Sequence, residues 1–505
     1  MRTGLPLNSV RNLVLAPVVF LTSLALYIST LAPCLLWGGG DFATFQTMAY
    51  LLEIELPGGI FGHPLWVILA HPFTWLPIRD VAWRANLASA VFAAGALTLV
   101  FLTARHLTRS VPASLLATAA LAVSHTFWTY AVMAKVYSLN ALLLIACIYL
   151  LLRWGEGNRA GYLYAFAFIY GLSLLNHLVM ATAAAGFLAY VGIVTWRRRH
   201  MPGFWRPLLF AAVAGLLGLV PYLFLLARTG TARSAVGTVA GFLRGLGYVA
   251  LRPSALLLGI GVGLALLLYQ FPVTFLPGFL GLRRLGQQMK PEAWMLGLVA
   301  LGDVLFLLAA ADPRAGGEYW WNLHYYLQMY VVFSLWIAVG FASLWPRLGA
   351  GKARLAATLL LTVALPILLY ALAPQVACPF VSNLPGFRPL PGRDNLTYVL
   401  SPWKHRETGA REFGERILSA LPPNSVLFAD YSIWAVIRYL QVVEGARPDV
   451  ELVQLTGDQA SLILQYQDRP HLFLADVYRY YDLEGIGRYF EIQPAGPVYR
   501  LVRRH

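Results

Sequence analysis

The chain has 505 residues, 59% of them hydrophobic and only 12% charged, with a formal net charge of +15. In a soluble protein that excess of Lys and Arg would suggest nucleic acid. Here the arginines fall in short clusters between apolar stretches of about twenty residues, the length that crosses a bilayer, so composition leaves no nucleic-acid partner and indicates a polytopic membrane protein.

Arg2 and Arg11 precede the first apolar run, which places the N-terminus on the cytoplasmic side. "LAPC" at residues 31–34 is superficially like a lipoprotein cleavage site, but Pro33 is wrong before Cys34 and the apolar run exceeds a signal-peptide core. Residues 12–36 are therefore expected to form an uncleaved first helix. It ends on "WGGGDFATF", where three glycines suit a flexible exit and Asp41 is the first acidic residue of the chain. Residues 37–83 form a large outer loop, in which "HPLWVILAHPFTWLP" is too short and too bracketed by proline to span and fits an interfacial or re-entrant helix.

Return and exit segments follow at 83–104, 111–128, 138–153, 160–176, 178–196, 204–226, 254–281, 293–311, 325–346 and 355–374, giving about eleven spans. The loop with Arg228, Arg233, Arg244 and Arg252 breaks the charge rule, through snorkelling or through contact with a lipid headgroup or anionic ligand. After Pro374 charges rise, and residues 411–455 read as helix, turn, strand, helix, strand. The division expected is a transmembrane domain over 1–376 and an α/β-like domain over 377–505. An odd number of spans is expected to place the second domain on the extracytoplasmic side.

This topology gathers Asp41, Glu53, Glu55, His63, His71, Arg79, Asp80, Arg84, Lys135, Asn176, His177, Asp312, Glu318 and His324 near the outer helix ends. Charges of both signs beside hydrocarbon suggest a cavity for a polar ligand, although Glu53, Glu55 and Asp80 read as ordinary wet loop residues. Trp37, Trp66, Trp75, Trp83, Trp128, Trp320 and Trp321 lie near the same boundary and read mostly as interface anchors. Cys34, Cys147 and Cys378 show no metal or disulfide spacing. The chain has no phosphate loop, dinucleotide fingerprint, HExxH or GxSxG, which removes support for ATP-driven pumping and for metalloprotease or serine-hydrolase chemistry.

Two stretches, residues 30–94 and "SHTFWTYAVMAKVYSLNALLLIACIYLLLRW", resemble the bacterial relatives of the transmembrane O-mannosyltransferases of animals, a family of GT-C glycosyltransferases. Asp41 occupies the acidic position of the first outer loop. Gly62, Pro64, Leu65, Arg84, Asn86, Trp128, Tyr137, Leu139, Asn140, Asn176 and His177 also match the pattern. "LLNHLVM" and "YLQVVEGARPDVELV" resemble further segments. Thr44, Ile60 and Phe61 depart from it, and Lys135 stands where the family carries glutamate.

The resemblance implies a GT-C-like fold and a polyprenyl-phosphate sugar donor, with a protein or glycan hydroxyl as acceptor. It also implies a reaction on the outer face of a bacterial inner or plasma membrane. Asp41 is the candidate base. Lys135, Arg84, His177, Tyr137, Asn176 and His63 are candidates for holding the phosphate or sugar, since a departing phosphate needs preorganised positive charge. Lys135 has a second reading, an ion pair with Asp41 that would weaken the base. No cofactor is expected, and a divalent metal stays open. A lipid-linked substrate transporter or flippase and a non-catalytic lipid-binding scaffold are the competing classes; a transporter would more often show inverted repeats and mid-membrane charges.

Overall fold

A computed structural model describes residues 7–37, 41–56, 60–61, 63–157, 159–229, 253–310, 323–346, 351–384 and 387–504. Gly38–Gly40, Arg233, Arg244, Arg252, Asp312, Glu318, Trp320 and Trp321 lie outside the described residues.

Long apolar segments become helices because backbone polar groups in hydrocarbon must be satisfied within the segment. The first is α1 (Leu7–Ser29), followed by α2 (Asp41–Leu51), a two-residue hairpin β1 (Glu55–Leu56) and β2 (Ile60–Phe61), α3 (Pro64–Ala70) and a 3-10 turn over His71–Trp75. Next come α4 (Val81–Thr108), α5 (Val111–Ala122), α6 (His125–Ala131), α7 (Tyr137–Gly157) and α8 (Ala160–Ser173). A 3-10 turn over Leu178–Ala183 leads into α9 (Ala184–Arg197) and α10 (Arg206–Thr229). The rest of the apolar part comprises α11 (Pro253–Gln270), α12 (Phe275–Gln288), α13 (Lys290–Ala310), a 3-10 turn Leu323–Tyr326, α14 (Leu327–Leu344) and α15 (Lys352–Ala377). Among the described residues, seven helices are long and apolar enough to cross a membrane, two further pairs are bent spans, and Val14–Ser29 and Ala160–Ser173 are shorter apolar helices. These segments follow the expected order.

The two broken spans are where sequence periodicity misleads. Residues 111–128 are two helices bent by 68°, and the expected 254–281 span turns by 111° between α11 and α12. Pro272 sits in that second break and has no amide to continue the helix. Close backbone approach holds the bundle: a Cβ on Gly281 would lie 1.7 Å from the Trp336 carbonyl oxygen, and one on Gly340 1.8 Å from that of Pro277, so α12 and α14 cross where only glycine fits.

Beyond α15, the short α16 (Asn395–Leu400) and α17 (Gly409–Ala420) precede alternating β3 (Val426–Ala429), α18 (Tyr431–Glu444), β4 (Glu451–Gln454), α19 (Gln459–Leu464) and β5 (Leu472–Leu474). α20 (Leu483–Gly487) and the hairpin β6 (Phe490–Ala495) and β7 (Val498–Arg503) complete a five-stranded sheet of order β4-β3-β5-β7-β6. β3 is parallel to β4 and β5, with Val426 opposite Glu451 and Leu472, whereas β7 runs antiparallel to both neighbours. Every residue of β3 is buried, as a strand paired on both sides and covered on both faces must be.

α18 lies against α2. The Tyr439 hydroxyl accepts from the Ala82 amide at 2.9 Å, Arg438 reaches both Glu53 oxygens at 2.8 and 2.9 Å, and Arg411 pairs with Asp80 at 2.9 Å. Glu53 and Asp80 are therefore not free loop charges; they anchor the sheet domain to the helical part. Asp80 also caps α4, accepting from the Trp83 amide at 2.7 Å.

Most of the tryptophans differ from interface anchors as well. Trp37, Trp66, Trp83 and Trp128 are buried, and Trp37 donates to the Pro391 carbonyl at 2.9 Å while packing on Phe413. Trp75 alone of the described set is broadly exposed, at 70%. Trp37 packs in the core it shares with the sheet domain, whereas Trp66, Trp83 and Trp128 belong to the core of the helical part.

Candidate active site

The site lies at the end of the helical bundle that faces the sheet domain, and its scaffold is a hydrogen-bonded hub on Asn86. This side chain is fully buried; its Oδ1 accepts from Gln46 of α2 and from the Ala134 amide, each at 2.9 Å. Its Nδ2 donates to the carbonyls of Ala32 and Cys34 at 3.2 and 3.3 Å. One amide thus ties the exit of α1, the middle of α2 and the turn before α7 to α4. A buried asparagine with all its bonds made fixes geometry, since leaving any of those groups unpaired would cost about 1–3 kcal/mol.

Lys135 follows that turn. Its backbone exchanges hydrogen bonds with the Ser89 hydroxyl at 3.2 and 3.3 Å, and Ser89 lies two turns into α4, about 12 Å from its start, so the lysine is recessed within the bundle. Lys135 is 7% exposed, and its Nζ lies 5.1 Å from the centre of the Phe45 ring. Phe45 in turn contacts His63 at 5.6 Å and Trp66 at 5.3 Å between ring centres.

His63 stacks on His177 at 4.9 Å and its Nδ1 bonds to the Asn176 carbonyl at 2.6 Å. Only a protonated Nδ1 can make that bond. Asn176 is buried; its Nδ2 donates to the Val136 carbonyl at 3.2 Å, and its Oδ1 has no hydrogen-bond partner among the described residues. His177 caps the following 3-10 turn, its Nδ1 accepting from the Val179 amide at 3.0 Å. The neutral ring therefore carries its hydrogen on Nε2 and is a donor. Burial, then the charges of His63, His324 and Lys135, holds its pKa well below the ordinary histidine value. Tyr137 joins from the first turn of α7, 5.8 Å from His177 and 4.2 Å from His324, and Tyr130 and Tyr325 close the cluster.

Five of the sequence-derived residues, Lys135, His177, Tyr137, Asn176 and His63, thus meet at one place. Arg84 has no contact with them among the described residues. Standing on the first turn of α4, it donates through Nε to the Asp80 carbonyl and through Nη1 to the Thr74 and Leu76 carbonyls at 2.5 and 2.6 Å, bracing the turn before the helix. Asp41 opens α2, and only its backbone is described; it precedes Phe45 by four residues on the same helix. Sequence reading missed Phe45, Trp66, Tyr130 and Tyr325 as members, and named His324 only among the outer charges. An aromatic in an apolar run carries no mark of the cavity it lines. Among the described residues, no three His, Cys, Asp or Glu side chains are grouped to hold a metal ion.

The family model for the N-terminal domain of protein O-mannosyl-transferase TMEM260 matches residues 41–200, the segment that contributes most of this cluster. The mouse (Mus musculus) protein O-mannosyl-transferase TMEM260 is 29% identical over 212 residues, 41% of this chain. Over this N-terminal part the chain is similar to the protein O-mannosyl-transferases. The match spans 29% of the length of the mouse protein. Along nearly its whole length the chain also has the fold of ArnT from Cupriavidus metallidurans. The ArnT structure bound to undecaprenyl phosphate aligns with a TM-score of 0.58 at 15% identity, covering 98% of this chain and 97% of that one. The apo ArnT structure aligns with a TM-score of 0.60 over the same shares. The long apolar helices make the chain an integral membrane protein, with the cluster at the bundle end beneath α2.

Proposed function

We propose that the protein is a membrane glycosyltransferase that moves a sugar from a polyprenyl-phosphate donor to an acceptor hydroxyl at the extracytoplasmic face. The observation that carries this reading is the convergence of Lys135, His63, His177, Tyr137 and Asn176, from separate elements, on one recessed point beneath the helix that begins with Asp41. The likeness to a protein solved with undecaprenyl phosphate supports a lipid-phosphate ligand.

In this mechanism the acceptor oxygen attacks the anomeric carbon while its proton passes to the Asp41 carboxylate. The bond between that carbon and the phosphate oxygen breaks, and its electron pair leaves with the polyprenyl phosphate. Lys135 meets the charge that develops on the phosphate, and in a water-poor site such a preorganised cation contributes far more than in bulk solvent. The Nε2 hydrogen of His177 holds a phosphate or sugar oxygen, and Asn176 Oδ1 accepts from a sugar hydroxyl. Attack opposite the leaving group inverts the anomeric centre.

The test supplies purified protein with a panel of polyprenyl-phosphate sugars and measures release of polyprenyl phosphate. Turnover is expected with at least one donor. It should be lost in Asp41→Asn and reduced about 100-fold or more in Lys135→Met, in line with removal of a group that stabilises transition-state charge. Unchanged turnover in Asp41→Asn sinks the assignment of the base, and movement of lipid-linked sugar across vesicles without bond cleavage sinks the transferase reading.

A further inference from the structure

At the opposite end of the bundle, about 30 Å from Tyr137 along α7, a cavity of about 490 Å³ opens where α4, α7 and α9 end and α13 begins. It carries charges of both signs. Glu156 is taken by Arg109 and by His106, the latter at 3.4 Å, and Arg198 donates to the Trp154 and Gly155 carbonyls at 3.2 and 2.7 Å. Arg197 and Glu292 line the same cavity, and neither has an ion-pair or hydrogen-bond partner among the described residues.

Tyr190 supplies an independent observation. It is 2% exposed and faces the cavity, and its hydroxyl has no hydrogen-bond partner among the described residues. A Cβ on Gly155 would lie 2.1 Å from that hydroxyl, so the glycine is what lets it reach its place. A buried phenol aimed into a cavity ordinarily finds a partner, and a ligand oxygen can serve.

An unpaired guanidinium and an unpaired carboxylate facing one space do not suit a simple ion. An anion alone would leave Glu292 facing like charge, and a cation alone would do the same to Arg197. A zwitterion satisfies both, and the apolar side chains of Leu107, Leu152 and Val194 on the same wall suit a ligand that continues into hydrocarbon. We propose that this cavity binds a phosphoethanolamine headgroup, with its phosphate on Arg197 and the Tyr190 hydroxyl and its ammonium on Glu292. The inference does not depend on the transferase reading.

Native mass spectrometry of the full chain in detergent, with phosphatidylethanolamine and phosphatidylglycerol of matched acyl chains, tests it. Retention of phosphatidylethanolamine is expected to exceed that of phosphatidylglycerol about tenfold, a difference of about 1.4 kcal/mol. Glu292→Gln should bring the two lipids near parity, and Arg197→Ala and Tyr190→Phe should weaken phosphatidylethanolamine retention about fivefold or more. These changes leave the apolar packing in place, and ligand-free melting midpoints report folding. Glycerophosphoethanolamine raising the melting midpoint means that the free headgroup suffices, and a rise only with the intact lipid assigns the source to the leaflet; either supports the site. Equal retention of the two lipids by the native protein, or a preference that survives Glu292→Gln, overturns it.

Discussion

His177 shows how a residue legible in the sequence acquires its chemistry only from its surroundings. The "LLNHLVM" segment identifies Asn176 and His177 as a pair, but a histidine at a helix end is commonly structural, and here it is also a cap. Its burial among His63, His324 and Lys135 depresses its pKa, so acid protonates the unfolded chain before the folded one. Stability from this residue is therefore fully present above the unfolded pKa of about 6.5 and is lost as pH falls below it. The melting midpoint of the native protein should drop between about pH 7 and about pH 5, and His177→Gln should flatten that limb. An identical acid slope in the variant would place the titration elsewhere. Arg84 shows the opposite relation. Residue type and pattern match singled it out, yet the backbone carbonyls of Thr74, Leu76 and Asp80 occupy its guanidinium. Sequence does not reveal which acceptors will lie within reach of a long side chain.

At the scale of elements, α2 is the part whose position matters most and whose own sequence says least. It is short, and it is held by Asn86 through Gln46 from below and by α18 from above. The Arg438–Glu53 pair at its far end is partly exposed and contributes about 0.5–1 kcal/mol to stability, which is small. Its larger effect is on alignment, because it links the segment after α2 to the sheet domain. Glu53→Arg should reduce turnover and speed amide exchange within α2 with little change in helix content, and the swap Glu53→Arg with Arg438→Glu should restore both. Failure of the swap to restore either would assign the effect to something other than this pair. The strand and helix pattern of residues 411–455 was readable from periodicity, whereas the docking of α18 was not, since its partner lies nearly 400 residues away in the chain.

For the whole molecule, the proposed orientation can be tested with the protein's own cysteines. Cys34 and Cys147 are buried, and Cys378 is exposed immediately after α15. In intact cells, a membrane-impermeant maleimide should label Cys378 alone, and Cys378→Ser should abolish labelling. Labelling that appears only after the membrane is opened would reverse the orientation and remove the proposed site from the extracytoplasmic face.

The order of apolar segments, the change of composition after Pro374 and the residues matching the O-mannosyltransferase pattern were determined by the sequence alone, because each is a local property of length, polarity or spacing. The bends within two spans are less legible, since a broken helix and a straight one can have the same hydropathy. Only the tertiary structure decided that His63, Lys135, Tyr137, His177 and His324 form one cluster, that Arg84 stands outside it and that Glu53 and Asp80 hold the sheet domain. Those outcomes depend on which distant side chains and carbonyls compete for the same few ångströms, and packing of the complete chain settles that competition.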